Sequence, residues 1–105
     1  MQDYRKRKPE YVAQRNRDSA ETARRKREYV KAQKDVACAD CGQRHPHYVM
    51  DFDHVPERGA KVFNLSRPSR VSWAAIDAEM AKCDIVCANC HRERTFTRGV
   101  DTSDE

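Results

Sequence analysis

Two pairs of cysteines with the same internal spacing carry the clearest chemical signal in this chain. Cys38 and Cys41 form a Cys-x-x-Cys pair followed by Gly42, and Cys87 and Cys90 form a second pair. Four thiolates complete the tetrahedral ligand set that zinc prefers in structural sites. Forty-five residues separate the two pairs, whereas a compact zinc ribbon has about 15–20. The spacing therefore predicts a structural zinc that clamps the two ends of a folded insert.

The fifth cysteine, Cys83, has no partner in this scheme. We predict that it is a small buried apolar side chain on the face of the helix expected at residues 72–82. An odd number of cysteines also argues against a full set of disulfides. A redox dithiol function is a poor fit, because Cys-x-x-Cys occurs twice and neither pair begins a helix in a βαβ unit.

A second set of chemically active residues lies between the cysteine pairs and just after them. The segment DFDH at residues 51–54 places Asp53, a hard oxygen ligand, next to the imidazole of His54. Asp53 could hold a divalent cation while His54 reaches a water molecule. His91 directly follows the second cysteine pair and could supply another ligand from the opposite wall. Because four thiolates already satisfy zinc, we expect His91 to bind a separate, exchangeable ion.

Positive charge is concentrated near the N-terminus. Residues 1–34 carry twelve Lys and Arg against five Asp and Glu, a net charge of +7, and the remainder carries nine against twelve, a net −3. Such an arm on a mildly acidic domain suggests a polyanionic partner, with nucleic acid the first candidate. A solvated helix without a partner is the alternative. The residues predicted to contact nucleic acid in the arm are Arg24, Arg25, Lys26 and Arg27.

The elements that must position these residues are few. A helix is predicted from Glu10 to about Lys34, a half-buried strand over residues 48–54 with Tyr48, Met50 and Phe52 on one face, and a long loop after it. Ser72 is the predicted N-cap of a second helix that ends near Lys82. A short strand at residues 84–87 then leads into a final helix. This order divides the chain into a basic helical arm (1–35), a central domain that holds both cysteine pairs (36–99) and an acidic, disordered tail (100–105).

Taken in order, these motifs resemble the HNH nucleases, a family with a ββα-metal fold, and in particular the subgroup stapled by zinc on four cysteines. The matching pattern is C-x-x-C-G at residues 38–42, D-H at 53–54 and C-x-x-C-H at 87–91. The phrase KCDIVCANCHRERT is similar to small HNH proteins of bacteria and tailed phages. The resemblance covers about residues 38–98 and implies an α+β fold, with the basic arm and the helix at 72–82 added to the core motif.

The resemblance implies a metal-dependent DNA endonuclease. His54 would be the general base that activates water, and Asp53 and His91 would bind one divalent ion, Mg²⁺ or Mn²⁺. Some relatives act near the DNA-packaging terminase and others are mobile nicking enzymes, so packaging proteins are candidate partners. The competing function is a non-catalytic zinc module of the same fold that binds nucleic acid or a protein.

The chain departs from the family pattern at one position. The family's middle Asn lies nine residues before the final His, where this chain has Lys82. Asn64 could serve from the loop, whereas Asn89 is expected to be structural. The cation that follows the final His by three positions is kept as Arg94, which could contact phosphate. The two remaining histidines, His45 and His47, are expected on a surface loop, with a phosphate contact as the alternative.

The chain shows no signal for membranes or export. The N-terminal stretch MQDYRKRKPE has no apolar segment, and no apolar run approaches the roughly 20 residues of a membrane span. We therefore predict a cytoplasmic protein, whose cysteines stay reduced and are free to bind metal. The resemblance implies that the cell is bacterial or a phage-infected host.

Overall fold

The computed structural model describes residues 9–99, with side chains from residue 13 onward. Within this range the chain forms three α-helices and a two-stranded antiparallel sheet, which confirms the α+β class. The predicted acidic tail at 100–105 lies outside the described residues. So do the first eight residues, which carry four of the arm's cations.

Helix α1 spans Pro9–Ala32. Pro is well suited to a first helical position, since the amide it lacks has no partner there. Neither Gly nor Pro interrupts the remaining residues, many of which are good helix formers. The helix ends in a turn in which the amides of Gln33 and Lys34 bond to the carbonyls of Val30 and Lys31. The helix thus matches its prediction to within about two residues.

The first cysteine pair lies in a tight knuckle between α1 and the sheet. Gly42 has φ +72°, and its amide donates to the carbonyl of Cys38 at 2.9 Å. A left-handed residue at this turn favours glycine, which lacks the Cβ that would be strained there. The amide of Cys38 also donates to the carbonyl of Gln43 at 2.9 Å, so backbone hydrogen bonds close the turn that carries the first thiol.

The sheet consists of β1 (Met50–His54) and β2 (Cys83–Cys87), paired so that Met50 faces Cys87 and His54 faces Cys83. The strand prediction fails at its start, because a 3₁₀ turn occupies His47–Val49. The amide of Val49 donates to the carbonyl of Pro46 at 2.9 Å, which closes the turn. Tyr48 is consequently 77% exposed instead of half-buried.

Helix α2 spans Trp73–Met80, and its N-cap is Ser72, whose hydroxyl accepts a hydrogen bond from the amide of Ala75 at 3.1 Å. This confirms the predicted cap. Helix α3 spans Ala88–Thr97 and follows β2 without a loop. The predicted strand at 84–87 begins one residue earlier, so Cys83 lies at the start of β2 and not on the face of the preceding helix.

Among the described residues, the buried apolar side chains form two small clusters. One contains Cys38, Met50, Val86 and Cys87, and lies between the knuckle and the sheet. The other contains Val30 of α1, Leu65 of the long loop and Ile76 of α2.

Helix α1 therefore contributes to the core at its C-terminal end. Lys26 donates to the carbonyl of Val71, and the hydroxyl of Tyr29 donates to Asp77 at 2.5 Å. The ring of Tyr29 also meets Trp73 edge-on at 5.5 Å between centroids. The predicted boundary at residue 35 thus separates segments that pack together.

Within the described residues, no helix combines the length and the apolar character that crossing a membrane requires.

Candidate functional site: a thiol cluster and a basic cleft

The four cysteines predicted to share a metal do come together. The sulfur atoms of Cys38, Cys41, Cys87 and Cys90 all lie within 4.8 Å of one another, and we call this group the thiol cluster. The first two come from the knuckle, the third ends β2 and the fourth lies in the first turn of α3. Four sulfurs bound to one tetrahedral ion at about 2.3 Å lie roughly 3.8 Å apart. The thiol cluster could therefore hold a metal ion, and no other such group occurs within the described residues.

The acidity of the thiols in this cluster also favours a cation. Burial raises the pKa of Cys38, but hydrogen bonds from the backbone at Cys41, Cys87 and Asp40 outweigh burial and lower it to about 6. Hydrogen bonding to Cys87, burial and the other neighbouring sulfurs instead raise the pKa of Cys90 to about 12. One thiolate is thus easily formed and further thiolates beside it are not. A divalent ion relieves that repulsion.

Cys83 lies apart from the thiol cluster. Its Sγ contacts the carbonyl of Glu79 at 3.5 Å, and it packs against the apolar cluster of Val30, Leu65 and Ile76. Burial raises the pKa of Cys83 to about 11. A thiol that stays protonated in an apolar setting is a weak nucleophile, as expected for a packing residue.

A cleft of about 450 Å³ lies beside β1, between α1 and the loop that precedes α2. The two histidines with predicted roles in catalysis and metal binding, His54 and His91, both line it. The polar side chains of the lining are Arg27, Lys31, Lys34, His47, Asp51, His54, Lys61, Asn64, Ser66 and His91. Four Lys and Arg side chains against one acid make this cleft strongly positive.

His54 is held by a carboxylate that was not anticipated from the sequence. Its Nε2 lies 2.7 Å from Oε2 of Glu79, which belongs to α2 and is 1% exposed. A signal was present, because Glu79 lies three residues after Ile76 and one before Met80, on the apolar side of the predicted helix. A charged residue in such a position requires a buried partner.

The surroundings of Glu79 decide which nitrogen of His54 carries the proton. Burial raises the pKa of Glu79, but hydrogen bonds from Lys82, the amide of Val62 and His54 outweigh burial and lower it. An ionised carboxylate only accepts hydrogen bonds, so Nε2 of His54 must donate. In neutral His54 the lone pair is then on Nδ1, which has no hydrogen-bond partner in the described part of the chain. Such a nitrogen can accept a proton from water.

His91 is held in a similar way. Its Nδ1 lies 3.0 Å from Oδ2 of Asp51, and its Nε2 lies 3.4 Å from Oδ1 of Asp53. Two ligands of one Mg²⁺-like ion, each at about 2.1 Å, lie roughly 3.0–3.4 Å apart. The separation between Asp53 and His91 fits such a pair. Asp51, absent from the predicted set, then has the position of the outer carboxylate that orients a metal-binding imidazole.

Asp53 is nevertheless already paired with two arginines. It is 2% exposed, and its oxygens accept three hydrogen bonds of 2.8 Å from Arg94 and Arg98. Burial raises the pKa of Asp53, but these bonds outweigh burial and lower it. A divalent cation at Asp53 would compete with Arg98, whose side chain is 32% exposed at the end of α3.

The cations predicted to contact nucleic acid have different surroundings. Arg94 bonds to Asp40, Asp53 and Asp84, so a phosphate contact would require breaking these pairs. Lys26 is 8% exposed and is a packing residue, not a surface cation.

The other three arginines predicted to contact nucleic acid in α1 have two kinds of surroundings. Arg24 and Arg25 both bond to Glu21 on the surface of α1. Arg27 lines the cleft. Lys31, Lys34 and Lys61, which the predicted set omitted, line it as well.

Lys82, at the position where the resemblance leads one to expect an Asn, supports Glu79 instead of contacting His54. Its Nζ donates to Oε1 of Glu79 at 3.1 Å and to the carbonyl of Ala60 at 2.9 Å. The side-chain oxygen of Asn64 accepts from Ser66 at 3.0 Å and 2.9 Å, which ties it into the loop.

The other two histidines differ from each other. His47 lines the cleft and meets Tyr48 edge-on, whereas His45 is half-buried and its Nε2 has no partner among the described residues.

Comparison with protein-family models, with curated proteins and with solved structures gives no match to this chain. A functional interpretation therefore depends on the geometry of the thiol cluster and the cleft.

Proposed function

We propose that this chain is a metal-dependent DNA endonuclease of the HNH type, built on a ββα-metal core with a structural zinc in the thiol cluster. One observation carries the proposal. Two histidines line a single basic cleft, and each is held at one ring nitrogen by a carboxylate, Glu79 for His54 and Asp51 for His91. One imidazole held in this way can act as a proton acceptor and the other as a metal ligand. The surrounding cations can bind the negatively charged phosphodiester.

In this proposal His54 is the general base. Its Nδ1 takes a proton from a water molecule as the water oxygen attacks phosphorus. The bond from phosphorus to the 3′ oxygen breaks, and that oxygen takes a proton from solvent, which leaves 5′-phosphate and 3′-hydroxyl ends. Glu79 keeps the Nε2 proton in place, and it stabilises the imidazolium that forms on His54.

Asp53 and His91 would hold the catalytic ion, since their 3.4 Å separation fits two ligands of one cation. When bound, Mg²⁺ or Mn²⁺ supplies a Lewis acid that stabilises charge on the phosphate oxygens. The thiol cluster would hold zinc, because four soft thiolates select zinc over hard divalent ions. A closed ligand set leaves no open position, so the zinc would be structural.

A second candidate is a zinc-stabilised module that binds nucleic acid without cutting it. The pairing of Asp53 with Arg94 and Arg98 favours this candidate, because two guanidinium groups beside the carboxylate oppose a divalent ion.

A plasmid-nicking assay separates the two candidates. The zinc-loaded protein is incubated with supercoiled plasmid alone, with Mg²⁺ and with Mn²⁺, and open-circular product is measured over time. The endonuclease predicts nicking that requires the added ion. Plasmid that is bound but stays supercoiled under all three conditions would favour the non-catalytic module.

A further inference from the structure

Three cations on one side of α1 and the turn that follows it face the cleft. Arg27, Lys31 and Lys34 follow one another at intervals of four and three residues, and all three line the cleft together with His54 and His91. Side chains at these intervals lie on the same face of a helix. We call Arg27, Lys31 and Lys34 the cationic wall. Lys61, on the loop, lines the same cleft.

The cationic wall is largely free to bind an anion. Arg27 and Lys61 make no ion pair within the described part of the chain, and Lys31 makes one, at 3.4 Å, with the exposed Glu28. Lys34 lies 5.5 Å from the centroid of the Phe52 ring. The single acid in the cleft lining, Asp51, is already bonded to His91.

The neighbouring cations of the same helix behave differently. Arg24 and Arg25 both bind Glu21, at 2.6 Å and 3.1 Å, and neither lines the cleft. A preference of cations for helix C-termini could explain Lys31 and Lys34. It does not explain Arg27 or Lys61, which lie away from that end and line the same space.

The length of the cationic wall matches a nucleic-acid backbone. From Arg27 to Lys31 the helix rises about 6 Å, and Lys34 lies beyond them in the turn. Successive phosphates of one strand advance about 3.4 Å along the duplex axis and lie farther apart along the strand itself. The wall is therefore long enough to reach about two successive phosphates of one strand. A single small anion would occupy only part of it.

We propose that the cationic wall binds the sugar–phosphate backbone of one DNA strand and sets it against His54. This deepens the proposed function and rests on it, because it names the surface of that cleft that positions the substrate. Only one face of the basic arm then contacts DNA, since Arg24, Arg25 and Lys26 do not take part.

Two double variants with the same change in charge test the wall. Arg27→Gln/Lys31→Gln removes two cations from the cleft, and Arg24→Gln/Arg25→Gln removes two from the same helix outside it. Glutamine is a good helix former, so α1 is kept. Binding of a short fluorescent duplex is measured by anisotropy over a range of salt concentrations without added Mg²⁺ or Mn²⁺, so that no cleavage intervenes.

If the proposal is correct, Arg27→Gln/Lys31→Gln makes the negative slope of log K against log salt shallower by about 1.8, since each lost phosphate contact removes about 0.9 from its magnitude. The Arg24→Gln/Arg25→Gln slope should stay at the wild-type value. An equal change of slope in both variants would show that only net charge matters, and this would overturn the proposal. An unchanged slope in both variants would overturn it as well.

Two further measurements distinguish a DNA backbone from free phosphate as the ligand, and DNA binding from DNA cleavage. Inorganic phosphate at the same phosphate concentration as the duplex should not displace it, because the wall gains from several linked phosphates, and full displacement would also overturn the proposal. If the wild type fails to nick plasmid but the two variants still differ in slope, the wall stands and the endonuclease does not.

Discussion

Glu79 and Asp51 each hold one histidine at one ring nitrogen. The other nitrogen of His54 has no hydrogen-bond partner among the described residues, and that of His91 lies 3.4 Å from Asp53. Glu79 is the more constrained of the two, because it is 1% exposed and accepts from His54, Lys82 and the amide of Val62. A carboxylate so fully bonded does not rotate away from its histidine. The proposed base is thus positioned before substrate arrives, which is the condition for efficient proton transfer.

Glu79→Gln should lower kcat with little change in KM, because the variant keeps the shape of the site but loses the charge that stabilises protonated His54. The ¹⁵N spectrum of the imidazole provides a readout without catalysis, since wild-type His54 should show the Nε2–H tautomer. Glu93→Gln, which changes an exposed glutamate of α3, is the matched control. An unchanged kcat and tautomer in Glu79→Gln would remove Glu79 from the mechanism.

The proposed ion site leads to a prediction for His91. His91→Ala should abolish Mn²⁺ binding while the metal of the thiol cluster is retained, because thiolates alone complete that site. Asp51→Asn should weaken Mn²⁺ binding by about 10–100-fold, the usual effect of losing an outer-shell carboxylate.

The free Mn²⁺ in a titration is measured by electron paramagnetic resonance, and a Mn²⁺-soaked crystal should give anomalous density between Asp53 and His91. Density elsewhere, or loss of the thiol-cluster metal in His91→Ala, would contradict the assignment.

At the scale of elements, α1 belongs to the fold as well as to the proposed binding surface. Val30 is 6% exposed against Leu65 and Ile76, so the end of the helix cannot be removed without opening that apolar cluster. One face of the same segment presents Lys31 to the cleft. In the proposed function, substrate binding and core packing are therefore joined in one element.

Val30→Ala should lower the free energy of unfolding by about 2 kcal/mol, since it removes two buried methyl groups and leaves a small cavity. Val36→Ala is the matched control, because Val36 is 40% exposed just after α1. Its effect should stay within about 0.5 kcal/mol. Chemical denaturation of both metal-loaded variants gives the comparison. Equal effects would mean that α1 is an appended arm.

The sequence predicted correctly those features that depend on residues close together in the chain. The two cysteine pairs, the cap at Ser72 and the order of helices and strands all followed from spacing and residue type. The partnership of His54 with Glu79 joins residues 25 positions apart and depends on how α2 docks against β1, which no local pattern encodes. The same holds for Arg98, whose pairing with Asp53 spans 45 positions.

At the scale of the whole molecule, the thiol cluster joins segments that are distant in the chain. It connects the knuckle that follows α1 to the junction of β2 and α3, and it lies against the small apolar cluster that contains Met50 and Val86. With such limited apolar burial, metal binding is expected to supply much of the folding free energy.

Metal analysis should therefore find one zinc per chain, and Cys38→Ser should lose it and unfold. Cys83→Ser is the control, because Cys83 lies outside the thiol cluster, and it should keep its zinc. Elemental analysis and circular dichroism of the two variants provide the readout. A folded, zinc-free Cys38→Ser protein would show that the thiol cluster is dispensable for folding.

The most direct test of the central claim is the plasmid-nicking rate of His54→Ala with Mn²⁺, compared with wild type and with His47→Ala, which changes another histidine of the same cleft. A positioned general base contributes about 10²–10⁴-fold in rate. We predict a loss of that size in His54→Ala, with zinc content and DNA affinity unchanged, and a near wild-type rate in His47→Ala. A near wild-type rate in His54→Ala would contradict the assignment of His54 as the base.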